Sequence, residues 1–200
     1  HAYAHPDNEQ RVAEILRAEL DIPVSVSHEV LPEFREFERT ATTAVDAYVT
    51  PAIEGYLSRL SERATDAGVP EPQVMQANGG TAAVGTVSEQ AVSTTLSGPA
   101  AGVVGAAATA ATDGDNADAA APSVVTFDMG GTSSDVSLVR DGQVERTTES
   151  EIDGVPIRTP MVDVTTVGAG GGSIAWVDSG GALRVGPESA GAEPGPACYG

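Results

Sequence analysis

Residues 127–136 read FDMGGTSSDV, and this stretch decides how the rest of the chain is interpreted. The apolar residues at 124–127, which we expect to form a buried strand, end at Asp128; two glycines, three hydroxyl residues and a second strand-like run follow. This order predicts a strand, a tight turn and a returning strand. Because glycine has no Cβ, the main chain of such a turn can approach a bound anion, and its successive N–H groups form an anion-binding concavity. We therefore expect a phosphate-binding hairpin here.

The side chains of this hairpin add hydroxyl donors and carboxylates. Asp128, at the end of the first strand, is the candidate catalytic residue and is placed to orient Mg²⁺ or its waters, since magnesium is usually held by one or two carboxylates. Asp135 is either a second metal ligand or an anchor of the hairpin. From the spacing alone, a structural turn with aspartate as a turn residue explains the pattern equally well. The candidate nucleotide-binding residues of the turn are Gly130, Gly131, Thr132 and Ser133.

A second glycine-rich stretch, GAGGGS, occupies residues 168–173. It does not follow the dinucleotide-binding pattern, because no strand–helix unit surrounds it. One interpretation is that Gly170 and Gly171 bind the nucleotide through their main-chain amides, and the other is a flexible bend between two short strands. Asp163, shortly before this run, is either a metal or substrate carboxylate or a solvent-facing residue at a strand end.

The charge balance of the chain is strongly acidic. There are 29 acidic residues against 10 basic ones, all of them arginines, and the formal net charge is -19. Such a surface repels nucleic acids and anionic membranes, which argues against nucleic-acid binding. Because the acids are scattered along the chain, we interpret them as halophilic adaptation. The absence of lysine also excludes a P-loop nucleotide site, whose lysine reaches the phosphates.

Other global features predict a cytoplasmic protein that is part of a longer chain. No apolar run is long enough to span a membrane, and no signal peptide is recognisable. Cys198 is the only cysteine, which rules out an internal disulfide. The chain begins at His1 without an initiator methionine and ends in a glycine- and proline-rich stretch, so we interpret it as a fragment.

Periodicity divides the chain into a mainly helical part, residues 1–70, and a β-rich part, residues 71–200. Within the helical part, Pro51 interrupts a long helical pattern and predicts a kink or two separate helices. The tyrosines at 48 and 56 fall on the apolar face of that pattern, where we expect them to be buried. The two parts together predict a mixed α/β fold.

The β-rich part contains further elements that bear on the fold. Residues 92–96 are predicted to be a strand, and residues 100–111 to be a helix of small side chains that packs closely against its neighbours. Residues 112–122 are acidic and alanine-rich and are expected to be a mobile loop. Asp141 followed by Gly142 is a strong signal for a hairpin turn.

Several short motifs give the chain a specific resemblance to known proteins. The hairpin resembles the phosphate hairpin of the actin/sugar kinase/Hsp70-like ATPase superfamily, in which an Asp-x-Gly-Gly-Thr turn wraps the ATP phosphates. In their order along nearly the whole chain, the motifs are similar to those of the hydantoinase A/oxoprolinase family. They are SGPAAGV at 97–103, FDMGGT at 127–132, VGAGGGSI at 167–174, VGPESAG at 185–191 and PGPACYG at 194–200.

This resemblance implies a fold and an activity. The implied fold is an actin-like ATPase (ribonuclease H-like) half-domain preceded by the helical segment at 1–70. The implied activity is an ATP-dependent opening of a cyclic amide, such as a hydantoin or 5-oxoproline, through phosphorylation of a carbonyl oxygen. ATP and Mg²⁺ are the implied cofactors. A hydantoinase B-type partner subunit or a homo-oligomer is the implied assembly.

Three alternatives stay open. Related family members are subunits of ATP-dependent ketone carboxylases, which need the same ATP site, a partner subunit and bicarbonate. A sugar kinase or chaperone-type ATPase has the same fold but lacks the motifs at 185–191 and 194–200. A non-enzymatic module that kept the fold and lost turnover is the third. Family members also carry an earlier Asp-x-Gly-Gly-Thr hairpin that is not present here, so we expect this chain to hold half of the phosphate clamp.

Overall fold

The computed structural model describes residues 1–112, 121–152 and 154–196. Most of the acidic stretch predicted to be a mobile loop lies outside the described residues, as does Cys198. The predicted division into a helical part, residues 1–70, and a β-rich part, residues 71–200, stays a sequence prediction. Contacts between residues in the structure group the chain differently, into two compact units. Unit 1 comprises residues 1–100 and 146–161, and unit 2 comprises residues 101–145 and 162–200.

The described ranges contain both helices and short antiparallel strands. No helix in these ranges is long and apolar enough to cross a membrane. The helix predicted at 100–111 is confirmed as α5. The helices are α1 (Asp7–Glu19), α2 (Ser27–Val30), α3 (Glu36–Asp66), α4 (Val84–Glu89) and α5 (Ser97–Thr112), with a 3-10 helix at Ala91–Thr94. The strands are β1 (Gln73–Met75), β2 (Thr81–Ala83), β3 (Val124–Met129), β4 (Ser134–Arg140), β5 (Gln143–Val144), β6 (Arg146–Thr147), β7 (Ser150–Ile152), β8 (Val155–Ile157), β9 (Met161–Val162), β10 (Val164–Val167), β11 (Ser173–Val177) and β12 (Leu183–Ser189).

Helix α3 runs without interruption through Pro51. Of the two predicted alternatives, the one with two separate helices is therefore wrong, and the kink stays a prediction. Tyr48 and Tyr56, predicted to be buried, are 84% and 56% exposed. The apolar pattern indicated the wrong face because most of the side chains that α3 buries are polar. The buried polar residues are Arg39, Thr42, Asp46 and Thr50, and the buried apolar residues are Leu57 and Ala64.

Asp46 is the polar centre of unit 1. Its carboxylate accepts a hydrogen bond from the Ser25 hydroxyl at 2.6 Å and one from the main-chain N–H of Val92 at 2.9 Å. Asp46 is only 2% exposed, and a hydrogen bond to each of its two side-chain oxygens offsets the cost of burying this polar group. The strand predicted at 92–96 is wrong, since Val92 lies in the 3-10 helix and donates to this side chain.

The segment at 146–161 belongs to unit 1 through an arginine and a shared apolar core. Arg158 donates to the carboxylates of Glu33 and Glu149 at 2.9 and 2.7 Å, and its main-chain N–H donates to the Thr42 hydroxyl at 3.0 Å. These bonds connect β7 and β8 with the long helix α3 and the residues just before it. The core itself contains Val30, Leu31, Ala77, Val92, Ile157 and Met161.

Glu9 of α1 holds the start of α2. Its carboxylate accepts the main-chain N–H groups of Ser27 and His28 at 3.3 and 3.2 Å, and it lies 2.7 Å from Nδ1 of the His28 ring. Burial alone raises the pKa of Glu9, but the hydrogen bonds from His28 and Ser27 outweigh that effect and leave the pKa below its ordinary value.

We expect this carboxylate to stabilise unit 1 at neutral pH and not in acid. A carboxyl group with a lowered pKa in the folded protein contributes stability above its unfolded pKa, and the contribution is lost as the pH falls through the folded pKa. Compared with the wild type at the same pH, Glu9→Gln should therefore reduce the protection of the α2 amides against hydrogen exchange at pH 7, and much less at about pH 3, below the ordinary glutamate pKa. Glu19→Gln, at the exposed end of α1, is the control. Equal losses for Glu9→Gln at the two pH values would contradict the expectation.

Unit 2 is built around an antiparallel sheet in the order β10-β4-β3, with β5 paired to β4. The predicted hairpin is confirmed as β3 and β4, with Val124 opposite Val139 and Met129 opposite Ser134. After β4, Asp141 and Gly142 have φ angles of 49° and 73°, the left-handed conformation that the sequence signal predicted for this turn. β11 and β12 form a separate two-stranded sheet in this unit.

Strand β3 is less buried than predicted. Val125, Phe127 and Met129 are 66%, 61% and 57% exposed. Side chains alternate across a strand, so these three residues share one face of the sheet. The opposite face of the hairpin carries the buried Ser137 and Val139 of β4. The prediction of a buried strand at 124–127 is therefore wrong for the face that carries Val125, Phe127 and Met129.

Candidate functional site

The candidate site is the turn between β3 and β4, residues 130–133, which we call the β3–β4 turn. The N–H of Gly130 donates to the carbonyl oxygen of Ser133 at 2.9 Å and closes the turn. The full antiparallel register of β3 and β4 holds both ends of the turn in place. The predicted residues Gly130, Gly131, Thr132 and Ser133 thus lie together at one end of the hairpin.

Three of the four main-chain N–H groups of this turn have no acceptor in the part of the chain that the structure describes. Within the described ranges, the N–H groups of Gly131, Thr132 and Ser133 have no hydrogen-bond partner, and neither do the hydroxyls of Thr132 and Ser133. Gly131 and Thr132 are exposed, and Ser133 is half-buried. Successive N–H groups of this kind form a concavity in which each can donate to a different oxygen of one anion.

Two carboxylates lie beside the turn on the same face of the sheet. Asp128 of β3 is directly opposite Asp135 of β4. Side chains in such pairs have Cβ atoms about 4.5–5.5 Å apart, and like charges placed there destabilise the sheet. The Thr166 hydroxyl donates to Oδ1 of Asp135 at 2.6 Å, which orients that carboxylate, whereas Asp128 has no partner among the described residues.

The carboxylate pair fits a divalent cation of the magnesium type. A cation would relieve the repulsion between Asp128 and Asp135, and both supply the hard oxygen ligands that Mg²⁺ prefers. The described part of the chain has no cluster of three or more His, Cys, Asp or Glu residues able to hold a metal. Two carboxylates are enough for Mg²⁺, which commonly takes its other ligands from water and substrate phosphates.

Helix α5 leaves room for the Asp128 side chain. A Cβ added at Gly102 would lie 3.6 Å from Oδ2 of Asp128, which is ordinary contact for a methyl group. A longer side chain at this position has to displace the carboxylate or cover it. At Gly102, therefore, a small residue of α5 is needed for a steric reason, because it leaves space for the Asp128 carboxylate beside the candidate site.

The motif resemblance implies an ATP site at this turn, and on that expectation Gly102→Leu should slow ATP hydrolysis by the full-length protein about tenfold, because it displaces the Asp128 carboxylate. The control is Gly105→Leu, on the same helix, where an added Cβ meets no atom within 4 Å. Steady-state rates of ADP release measure both variants. Equal rates in the two variants would mean that the space beside Asp128 has no part in activity.

The glycine-rich run lies directly against the β3–β4 turn. The N–H groups of Gly171 and Gly172 donate to the carbonyl oxygens of Gly130 and Gly131, at 2.9 and 2.7 Å. The N–H of Gly170 donates to the Ser173 hydroxyl at 2.9 Å. The main-chain N–H groups of Gly170 and Gly171 both donate within the protein, so neither is free to bind a nucleotide. Nucleotide binding by these two residues stays a prediction.

Sequence reasoning missed Thr166 and predicted the wrong partner for Ser134. Thr166 lies opposite Asp135 in the sheet, 31 residues further along the chain. The Ser134 hydroxyl was expected to be a donor for the anion, but it is buried and donates to the carbonyl oxygen of Ala169 at 2.7 Å. The register of β4 with β10 brings both contacts about, and no local pattern reveals it. Asp163 precedes β10, is exposed, and is not part of the pair formed by Asp128 and Asp135.

Comparison with known proteins decides the family. The family model described as Hydantoinase/oxoprolinase matches residues 39–200, which is most of the chain. The chain belongs to the hydantoinase/oxoprolinase family. The matched range contains the β3–β4 turn, the carboxylate pair and the glycine-rich run, so the resemblance inferred from the motifs is confirmed.

Two relatives show how much of a family member the chain represents. The caprolactamase subunit alpha of Pseudomonas jessenii is 42% identical over 199 residues, which cover 98% of this chain and 28% of that protein. The 5-oxoprolinase of Saccharomyces cerevisiae is 40% identical over 200 residues, which cover 100% of this chain and 15% of that protein. The chain therefore spans less than a third of either hydantoinase/oxoprolinase relative.

Solved structures confirm the fold. The ATP-dependent caprolactamase from Pseudomonas jessenii superposes with a TM-score of 0.82 at 40% identity, covering 99% of this chain and 28% of that one. A nucleotide-free acetone carboxylase, described in terms of ATP-dependent acetone carboxylation, superposes with a TM-score of 0.72 at 30% identity, covering 96% and 27%. The chain has the mixed α/β, actin-like ATPase fold of this family, as the motifs predicted.

Proposed function

We propose that the chain is the part of an ATP-dependent enzyme that holds the phosphates of ATP while a cyclic amide is opened. The observation that carries the proposal is that one turn combines a pair of facing carboxylates with three N–H groups that have no partner among the described residues. Water can satisfy exposed N–H groups, so these donors alone do not select phosphate. The carboxylate pair adds the selection, because it provides for the cation that accompanies ATP.

In this proposal the residues of the chain position phosphate and balance its charge. The N–H groups of Gly131, Thr132 and Ser133 donate to phosphate oxygens, and donors fixed in advance stabilise the charge of phosphoryl transfer without reorganisation. Asp128 orients Mg²⁺ or its waters, and Asp135, held by Thr166, assists. Mg²⁺-ATP, when bound, would supply the phosphoryl group that activates the amide carbonyl for attack by water.

The relatives support a cyclic amide of the hydantoin or lactam type as the substrate. The caprolactamase and the 5-oxoprolinase are 42% and 40% identical to this chain. A ketone carboxylase subunit is the second candidate function, because an acetone carboxylase superposes on nearly the whole chain, although at a lower identity of 30%. Both candidates would need the same phosphate site.

The setting of the enzyme is proposed from the family and the composition. A hydantoinase B-type partner subunit fits the caprolactamase relative, which is itself named as a subunit, and a homo-oligomer is the other assembly that we propose. The scattered acids of a chain with net charge -19 suit a halophilic, cytoplasmic protein. The proposal of halophilic adaptation predicts that the full-length protein stays folded in molar salt and loses activity as the salt is removed.

A substrate panel with the full-length protein separates the two candidate functions. ADP release would be measured with hydantoin, 5-oxoproline and ε-caprolactam, and separately with acetone plus bicarbonate. We expect one cyclic amide to stimulate ADP release and to yield a ring-opened product in equal amount. Stimulation only by ketone and bicarbonate would establish the carboxylase instead. Failure of the full-length protein to bind ATP would favour the alternative of a non-enzymatic module that kept the fold.

A further inference from the structure

We infer that residues 169–173, here named the buttress loop, set the conformation of the β3–β4 turn and do not themselves bind the nucleotide. The inference rests on the proposed function of that turn as a phosphate site. It assigns Gly170 as a positioning residue, whose side chain must be absent so that the loop and the turn can touch.

The buttress loop orients the donors of the turn. Its N–H groups at Gly171 and Gly172 hold the carbonyl oxygens of Gly130 and Gly131. A trans peptide unit is planar, and its N–H points away from the C=O of the preceding residue. Holding these two carbonyls therefore directs the N–H groups of Gly131 and Thr132 away from the loop, on the side where an anion has access.

Gly170 is the closest approach between the loop and the turn. A Cβ built on Gly170 would lie 2.5 Å from the carbonyl oxygen of Gly130 and 2.8 Å from the main-chain nitrogen of Ser133. Distances this short require a shift of main chain on one side, because both atoms belong to the backbone. Gly170 does not have a positive φ, so the need for glycine here is steric.

Gly171 and Gly168 differ from Gly170 in this respect. A Cβ on Gly171 would come no closer than 3.7 Å to the turn, which is ordinary contact, and a Cβ on Gly168 would meet none of the described atoms within 4 Å. Neither has a positive φ. Gly172 is the second tight position, since a Cβ there would lie 2.9 Å from the carbonyl oxygen of Gly131. A methyl group at Gly170 or Gly172 must therefore displace an atom packed against it, most severely at Gly170, whereas a methyl group at Gly168 displaces nothing.

The buttress loop is itself held from both sides. The Ser134 hydroxyl, on a residue only 3% exposed, donates to the carbonyl of Ala169 at 2.7 Å. The carbonyl of Gly172 accepts the N–H of Ala190 at 2.8 Å and the hydroxyl of Ser189 at 3.1 Å. A loop fixed to β4 at one end and to the end of β12 at the other can hold the β3–β4 turn at a set position.

The inference is tested with Gly170→Ala in the full-length protein, with Gly168→Ala as the matched control. Calorimetric titration gives the dissociation constants of a non-hydrolysable ATP analogue with Mg²⁺ and of adenosine, which has no phosphates. We expect Gly170→Ala to weaken the ATP analogue about tenfold or more, since small misplacements of positioned groups are costly, and to leave adenosine binding unchanged. Gly168→Ala should bind both ligands like the wild type.

The outcomes distinguish this inference from the proposed function. A Gly170→Ala protein that binds the ATP analogue like the wild type, or that loses both ligands equally, overturns the positioning role alone. A wild-type protein that binds no ATP overturns the proposed function. Should Gly170→Ala fail to fold, Ser134→Ala decides, because it removes the bond to Ala169 without adding bulk: selective weakening of the ATP analogue supports the inference, and any other result overturns it.

Discussion

The Asp128→Asn variant of the full-length protein will hydrolyse ATP about 100-fold more slowly than the wild type, the scale on which a single preorganised electrostatic group contributes to catalysis. Asparagine keeps the shape of the side chain and removes the charge that would hold a cation opposite Asp135. ADP release at saturating ATP and substrate measures the effect. The same variant should be as stable as the wild type or slightly more stable, because it removes the repulsion between two facing carboxylates.

Asp141→Asn is the matched control for this variant. Asp141 lies in the turn at the other end of β4, with a φ of 49° that asparagine also tolerates. Its rate of ATP hydrolysis should stay within about twofold of the wild type, since surface substitutions away from a site have small effects. If Asp128→Asn also stays in that range, the carboxylate beside the β3–β4 turn is not catalytic, and a non-enzymatic module becomes the better account.

The Asp46→Ala variant will lose about 2–4 kcal/mol of local stability in unit 1, because it leaves buried donors without an acceptor. The N–H of Val92 is the most costly of these, since Val92 is 0% exposed. The Ser25 hydroxyl loses its 2.6 Å bond as well. Amide hydrogen exchange in the 3-10 helix Ala91–Thr94 measures the local loss, which a global unfolding midpoint of a large protein would blur.

Two further variants calibrate that result. Asp66→Ala, at the exposed end of the same helix, should change stability by no more than about 0.5 kcal/mol. Asp46→Asn keeps an oxygen acceptor for the Val92 N–H and should recover part of the loss. Equal exchange rates in Asp46→Ala and Asp66→Ala would show that the buried carboxylate does not hold the 3-10 helix to α3.

The hairpin was predictable from sequence because its information is local. Residues 127–136 contain the end of one strand, the glycines of the turn and the start of the next strand, and antiparallel pairing across a short turn follows from that order. Asp128 and Asp135 were both named as candidates for the same reason. Their direct opposition is a consequence of the register, which the turn length sets.

Features that depend on distant partners were not predictable in this way. Helix α3 buries Thr42 and Asp46 because Arg158 and Val92 supply their hydrogen-bond partners from elsewhere in the chain, so apolar periodicity indicated the wrong face. The residues at 92–96 have strand-like composition, but the Asp46 carboxylate takes the N–H that a neighbouring strand would need. In both cases a buried polar contact outweighed the local preference.

The glycine-rich run shows the same limit within the candidate site. From sequence, Gly170 and Gly171 are equally able to offer amides to a ligand or to form a bend. In the structure, the run hydrogen-bonds to Gly130 and Gly131, about forty residues earlier in the chain. It therefore packs against the β3–β4 turn. Glycine permits close approach of a backbone to many partners, and the sequence does not say which one it is.

The most direct test of the account is a crystal structure of the full-length protein with a non-hydrolysable ATP analogue and Mg²⁺. We expect phosphate oxygens at hydrogen-bond distance, about 2.7–3.2 Å, from the main-chain nitrogens of Thr132 and its neighbours in the turn. We also expect Asp128 to contact the cation or one of its waters. Phosphates bound away from residues 130–133, or a turn closed off by other parts of the protein, would contradict it.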